Sequence, residues 1–284
     1  MACTAPPSVP SPARSTTPSE PSPNRVVSPD FKREAHIGQV SGIRFHTVVV
    51  DGVEGKFYDN IALHSLVFSP DSQHLAYIAV QNGKNMLVHD GVEGQPYDSI
   101  SDFVFSPDSQ HIAYAVRKGA LGTDGFVVKD GNEGKHYAEA RSPTFSPDSQ
   151  RLAYVAVAPG EALSRLVVDE VPGKPFYGIS DVVFSPDSKR LGYIAGKVSG
   201  KVAVIDGRES KEYPNVMFLI VSPNSKRFAY FTQLPSALVI DDAGRMTVIE
   251  IALYAIEAST IRFTSENRLA YYVAGKEYLV EEGE

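Results

Sequence analysis

Between residues 74 and 80 the chain reads His-Leu-Ala-Tyr-Ile-Ala-Val, and both alternating sets, Leu75/Tyr77/Ala79 and Ala76/Ile78/Val80, are apolar. Side chains along a strand alternate between faces, so this segment belongs to a sheet covered on both sides. Leu-His-Ser-Leu-Val-Phe at 63–68 precedes it, with Ser-Pro-Asp-Ser between the two runs. Pro70 has the fixed φ that suits the second position of a type I turn, and Asp71 can accept from nearby amides, which predicts a tight hairpin. After polar Gln-Asn-Gly-Lys at 81–84, a third run, Asn-Met-Leu-Val-His at 85–89, closes on Asp-Gly-Val-Glu-Gly, a hairpin signal whose glycines supply positive φ. Gln-Pro-Tyr-Asp at 95–98 predicts a short fourth strand, and Pro96, lacking an N–H, suits the outer edge.

This four-strand phrase repeats. Phe-Ser-Pro-Asp-Ser-Gln-His-Leu-Ala-Tyr at 68–77 returns at 105–114, 145–154 and 184–193, and in altered form at 221–230 and 263–271. Tyr77, Tyr114, Tyr154, Tyr193, Tyr230 and Tyr271 are spaced 37, 40, 39, 37 and 41 apart. A period of roughly 40 residues built from short apolar strands is that of a β-propeller blade. Six inner hairpins predict an all-β, six-bladed propeller of four-stranded antiparallel blades, with Lys-Phe-Tyr-Asp at 56–59 completing the last blade to close the ring. His-Thr-Val-Val-Val-Asp-Gly at 46–52 reads as a surplus third strand, so the alternative is seven blades, one of them incomplete.

Composition narrows the partners. Lys plus Arg number 27 against 34 Asp plus Glu, a net charge of -7, so there is no positive field for nucleic acid. No run approaches the ~20 apolar residues needed to span a bilayer. Residues 1–35 read as a disordered Pro/Ser-rich tether, with eight of the chain's twenty prolines in the first thirty positions, and residues 36–284 as the propeller. The lone cysteine, Cys3, sits in Met-Ala-Cys ahead of this tether and resembles the lipid-bearing cysteine of a bacterial lipoprotein, an anchor expected if translation starts further upstream.

The text Phe-Ser-Pro-Asp-Ser-x-x-Leu-Ala-Tyr resembles the WD-repeat-like repeat of bacterial TolB-type propellers over roughly residues 40–284. Ser72, Ser109, Ser149, Ser188 and Ser225 stand where that family usually has glycine, so either a Cβ is carried in a left-handed conformation or a different turn is used. The resemblance implies a cell-envelope or periplasmic setting, the alternative being cytoplasmic, and in some relatives a propeller fused to a serine peptidase. No Gly-x-Ser-x-Gly elbow occurs in this sequence.

Candidate chemistry is sparse. Asp71, Asp108, Asp148 and Asp187 lie in separate turns about a blade apart and cannot converge on one ion, and the histidines show no metal-ligand spacing, so no metal and no cofactor are expected. The tyrosines at 58, 97, 137, 177 and 213 are expected to pack in the core or between blades. Strand direction places the Ser-Pro-Asp-Ser and Asp-Gly turns on one rim and the variable loops, such as Pro159–Ser164 and Lys197–Gly200, on the other. The expected function is therefore a non-catalytic binding or scaffolding propeller that engages a protein or peptide through the variable-loop rim. His64, Ser101, Asp102, Arg141, Ser180 and Asp181 are the expected polar residues at the channel mouth. The alternative is an enzyme or small-ligand-binding propeller using that mouth, with Asp102, Asp181, Arg141 and His64 converging on one substrate.

Overall fold

The computed structural model describes residues 25–39, 45–119, 123–242, 244–250, 261–273 and 276–280. They form an all-β propeller of seven antiparallel sheets. The blades span residues 25–58, 60–93, 99–133, 139–176, 179–209, 215–250 and 262–280, and the last has three strands.

Seven blades replace the six-blade expectation. The surplus strand His46–Val50 pairs with Glu34–Gln39 on one side and Val53–Tyr58 on the other, inside a first blade of its own. Lys56 to Tyr58 accordingly stays in that blade and does not complete the last one. The tether boundary moves with it, because Arg25–Val27 pairs with Glu34 to His36 across a turn at Ser28-Pro29-Asp30-Phe31. That turn is a seventh copy of the repeat, with Phe31 where blades 2 to 6 have serine. Residues 1–24, including Cys3 and the proposed lipid site, lie outside the described residues.

The two apolar faces of each second strand go where their pattern directs. Leu75, Tyr77 and Ala79 pack with Ala35, Val48 and Tyr58 of blade 1, while Ala76 and Ile78 pack with Ile100, Ile112 and Phe126 of blade 3. Six such clusters join blade 1 to blade 2 and so on to blade 7. A buried Leu, Ile or Phe contributes about 1.5–3 kcal/mol on leaving water, so no blade can hide its apolar area without a neighbour.

A polar ladder runs beside this core. In the turns of blades 1 to 5 the first serine donates to the aspartate two residues on, as from Ser106 Oγ to Asp108 Oδ1 at 2.5 Å, and accepts from the residue five on, as from His111 N at 2.9 Å; in blade 6 Ser222 donates to Asn224 instead. The fourth residue is left-handed throughout: φ is 68° at Ser72, 63° at Ser109, 64° at Ser149, 62° at Ser188 and 64° at Ser225. Each of those hydroxyls accepts the backbone N–H of the preceding blade's turn, from Asp30 to Ser72, Asp71 to Ser109, Asp108 to Ser149, Asp148 to Ser188 and Asp187 to Ser225, at 2.9–3.1 Å. Asn267 Oδ1 takes the same role for Asn224 N at 2.8 Å. Serine thus occupies a glycine position because its Oγ links blades, which offsets the cost of a Cβ at positive φ.

Candidate functional site

The two rims differ in chemistry. On the turn rim, in blades 1 to 5, the aspartate that opens the turn between the third and fourth strands caps the start of the second strand: Asp90 Oδ1 accepts Leu75 N at 2.9 Å and Asp169 Oδ1 accepts Leu152 N at 3.0 Å. The residue just before that capped amide pairs with the other carboxylate oxygen. It is arginine in Arg33, Arg151 and Arg190 and histidine in His74 and His111. One oxygen of each of these carboxylates thus pins the start of the second strand, and the other faces the side chain beside it.

On the opposite rim the loops diverge, and between blades 4 and 5 they open a cleft of about 290 Å³ lined by Leu163, Lys174, Pro175, Phe176, Tyr177, Gly196, Lys197, Val198 and Glu209. Its floor is held by main chain: Tyr177 N donates to Gly196 O at 3.0 Å and Gly196 N to Gly178 O at 2.9 Å. Its walls carry apolar side chains in water, with Tyr177 64% and Val198 84% exposed. Arg165 holds Glu161 through two contacts at 2.8 and 3.0 Å, which braces the loop carrying Leu163. Glu209 lies 2.6 Å from Lys197 and 3.4 Å from Lys174, and the Lys197 ammonium holds its carboxyl below the usual range. A second cavity of about 310 Å³, lined by Arg141, Tyr177, Gly178, Ile179, Ser180, Ile194, Gly196 and Lys201, meets the first at Tyr177 and Gly196. The two together make a groove whose outer part carries Leu163, Tyr177 and Val198 beside the paired Lys174, Lys197 and Glu209, and whose inner part carries Arg141 and Lys201.

Tyr177 departs from the sequence expectation. Counting seven residues on from each turn aspartate gives Tyr58, Tyr97, Tyr137, Phe176 and Tyr213, all buried, so Phe176 fills the core slot. Phe176 meets Tyr193 edge-on at 6.1 Å, as Tyr97 meets Tyr114 at 6.3 Å, and Tyr177 turns outward. The fixed offset was the signal in the sequence that could have found this groove residue.

The expected mouth residues lie on irregular segments of the first strand of each blade. Pairing slips between Ile100 and Asp102, between Arg141 and Thr144, and between Ser180 and Val183. Bulges re-aim side chains, and here His64 and Asp181 adopt φ of 61° and 50°. Asp102 Oδ2 accepts Ser142 N of the next blade at 3.1 Å and faces Ser101 Oγ at 3.4 Å. Asp181 Oδ2 accepts Ser180 Oγ at 2.8 Å, and Arg141 Nε lies 3.4 Å from Glu139 Oε1. Arg141 and Ser180 share the inner end of the groove, whereas Asp102 is joined to blade 4 and His64 stands on the split first strand of blade 2.

No family model and no curated protein matches the chain. Its fold is similar to solved structures. A eukaryotic initiation factor superposes with a TM-score of 0.56 at 16% identity, covering 91% of this chain and 78% of that one. The Dos1 propeller gives 0.47 at 12% identity, covering 87% and 78%. TolB from Acinetobacter baumannii gives 0.38 at 17% identity, covering 66% and 55%. At these identities the likeness is one of β-propeller fold, a fold that hosts binding proteins and enzymes alike.

Proposed function

We propose that this chain is a non-catalytic binding propeller, of the TolB-type kind its repeat resembles and working in a bacterial envelope, that holds an extended segment of another protein in the groove between blades 4 and 5. One observation carries the reading: Tyr177 and Val198 stand exposed over a main-chain floor on the rim whose loops escape the repeat. An exposed aromatic on a rigid scaffold is a favourable anchor because little entropy is lost on ordering it. Leu163, Tyr177 and Val198 would take an apolar side chain, while Arg141 and Lys201 at the inner end would favour an acidic group or a chain terminus.

Photo-cross-linking tests this in the organism that makes the protein, with a benzophenone amino acid placed at Val198 or, on the turn rim, at exposed Val92. A discrete protein adduct from position 198 that is lost on Tyr177→Ser and absent from position 92 is the expected result. Equal adducts from both rims, or none from position 198, would overturn it.

A further inference from the structure

At the start of the second strand, blades 1, 4, 5 and 6 carry Arg33, Arg151, Arg190 and Arg227, each guanidinium lying 4.9–5.7 Å from the ring centre of a phenylalanine of the next blade. Blade 2 has His74 there. Its partner position changes as well: the residue before the turn aspartate is Val50, Val168 or Ile205 in blades 1, 4 and 5 but His89 in blade 2. His89 meets Phe105 edge-on at 5.5 Å, the ring an arginine would otherwise cover.

The exchange leaves a polar atom without a hydrogen bond. His89 Nε2 is buried and makes none, although Asp90 Oδ2 lies 3.6 Å away. The same Oδ2 is 2.6 Å from His74 Nδ1, and the two imidazoles meet edge-on at 5.5 Å between ring centres. All three ligand atoms lie within 4.8 Å of one another. Asp90 is held in place by its left-handed backbone, φ 49°, and by Leu75 N on its other oxygen. Beside the cluster lies a cavity of about 650 Å³ to which His89 and Asp90 contribute.

We propose that His74 Nδ1, His89 Nε2 and Asp90 Oδ2 are a binding site for a divalent transition-metal ion of the Zn²⁺, Co²⁺ or Ni²⁺ class. Bonds of about 2.0–2.1 Å set the ligand atoms of a tetrahedral site roughly 3.3 Å apart, and the edges of 2.6 and 3.6 Å bracket that value. Loading replaces the His74–Asp90 hydrogen bond by two metal bonds and gives His89 Nε2 the partner it lacks. Two nitrogens and one oxygen favour these ions over Ca²⁺ or Mg²⁺, and the fourth position remains for water or a ligand from the cavity side.

The full chain titrated with Co²⁺ should take up a single equivalent, develop the visible absorption of a low-coordinate site, and show two imidazoles by X-ray absorption spectroscopy. Zn²⁺ should displace it. His74→Arg and His89→Val install residues that neighbouring blades use at these positions. Each should abolish uptake while keeping the unfolding transition of the metal-free protein, whereas His136→Ala should leave uptake unchanged. No uptake by the native chain, fewer than two imidazoles, or uptake that survives in His74→Arg or His89→Val would overturn the site. The absorption measurement on the native chain decides the matter even where a variant fails to fold.

Discussion

The backbone N–H of Asp148 donates to Ser188 Oγ at 2.9 Å across the boundary between blades 4 and 5. Ser188 can accept only because its own φ is 62°, which turns the hydroxyl towards the neighbouring turn. Removing the hydroxyl while keeping a Cβ should therefore cost more than removing the side chain. Ser188→Ala is expected to lower stability by about 1–2 kcal/mol, leaving an amide unpaired. Ser188→Gly loses the same bond but gains roughly 1 kcal/mol by relieving the left-handed strain, and should lie near neutral. Urea midpoints of the two variants against the parent check the order.

Gly192 and Phe228 form a compensated pair at the boundary of blades 5 and 6. Other blades pair alanine with a branched residue, as Ala76 with Ile112 and Ala113 with Leu152. A Cβ on Gly192 would come within 2.8 Å of the Phe228 ring and 3.0 Å of Leu219. Gly192→Ala should destabilise by about 1–3 kcal/mol through overpacking. Combining it with Phe228→Leu should recover most of that loss, a coupling that a double-mutant cycle measures.

Arg190 joins blade 5 to blade 6 by covering Phe228 at 4.9 Å and donating to the carbonyls of Ser225 and Lys226, while its Nε stays 2.9 Å from Asp206. Arg190→His retains a partner for Asp206 but cannot reach the next blade. A loss of about 1–2 kcal/mol is expected, visible as a lowered denaturation midpoint.

Both ends of the pH range should weaken the fold, for different reasons. Hydrogen bonds from Ser28 and Lys32 N draw Asp30 down from 3.8 to about 2. Asp71, Asp108, Asp148 and Asp187 are lowered in the same way, first by the serine two residues earlier. Depressed carboxylates contribute stability above their unfolded value, and it is lost as pH falls from about 4 towards 2. Burial pushes Tyr193 and Tyr230 from 10.0 up to about 12. Their contribution is complete below pH 10 and is lost as pH rises towards 12, because only the unfolded chain readily ionises there. Urea midpoints recorded from pH 2 to 12 should show a plateau with both shoulders. Constant midpoints across either shoulder would contradict the assignment.

Much of this architecture is written locally. Leu75/Tyr77/Ala79 against Ala76/Ile78/Val80 dictates a sheet covered on both faces, and Ser-Pro-Asp-Ser dictates the hairpin, since both follow from period and turn chemistry within a few residues. The blade count was legible in principle, as Ser28 precedes Arg33 by the same five residues that separate Ser69 from His74. It was obscured because Phe31 replaces the serine and the copy sits beside a proline-rich stretch. Tyr177 was misassigned for a similar reason: Phe176 fills the aromatic slot one residue earlier.

What the sequence determined by itself is the repeating strand, its two buried faces and the chemistry of its turns, all properties of neighbours along one chain segment. Tertiary structure alone decided which copies touch. It gave Ser188 its donor from Asp148, gave Gly192 its reason in Phe228, gathered Leu163, Tyr177 and Val198 round one groove, and turned His74 towards His89 and Asp90. The physical reason is distance along the chain. These pairings link residues from different strands or blades, and their geometry is set by how sheets stack and twist, which no local propensity encodes.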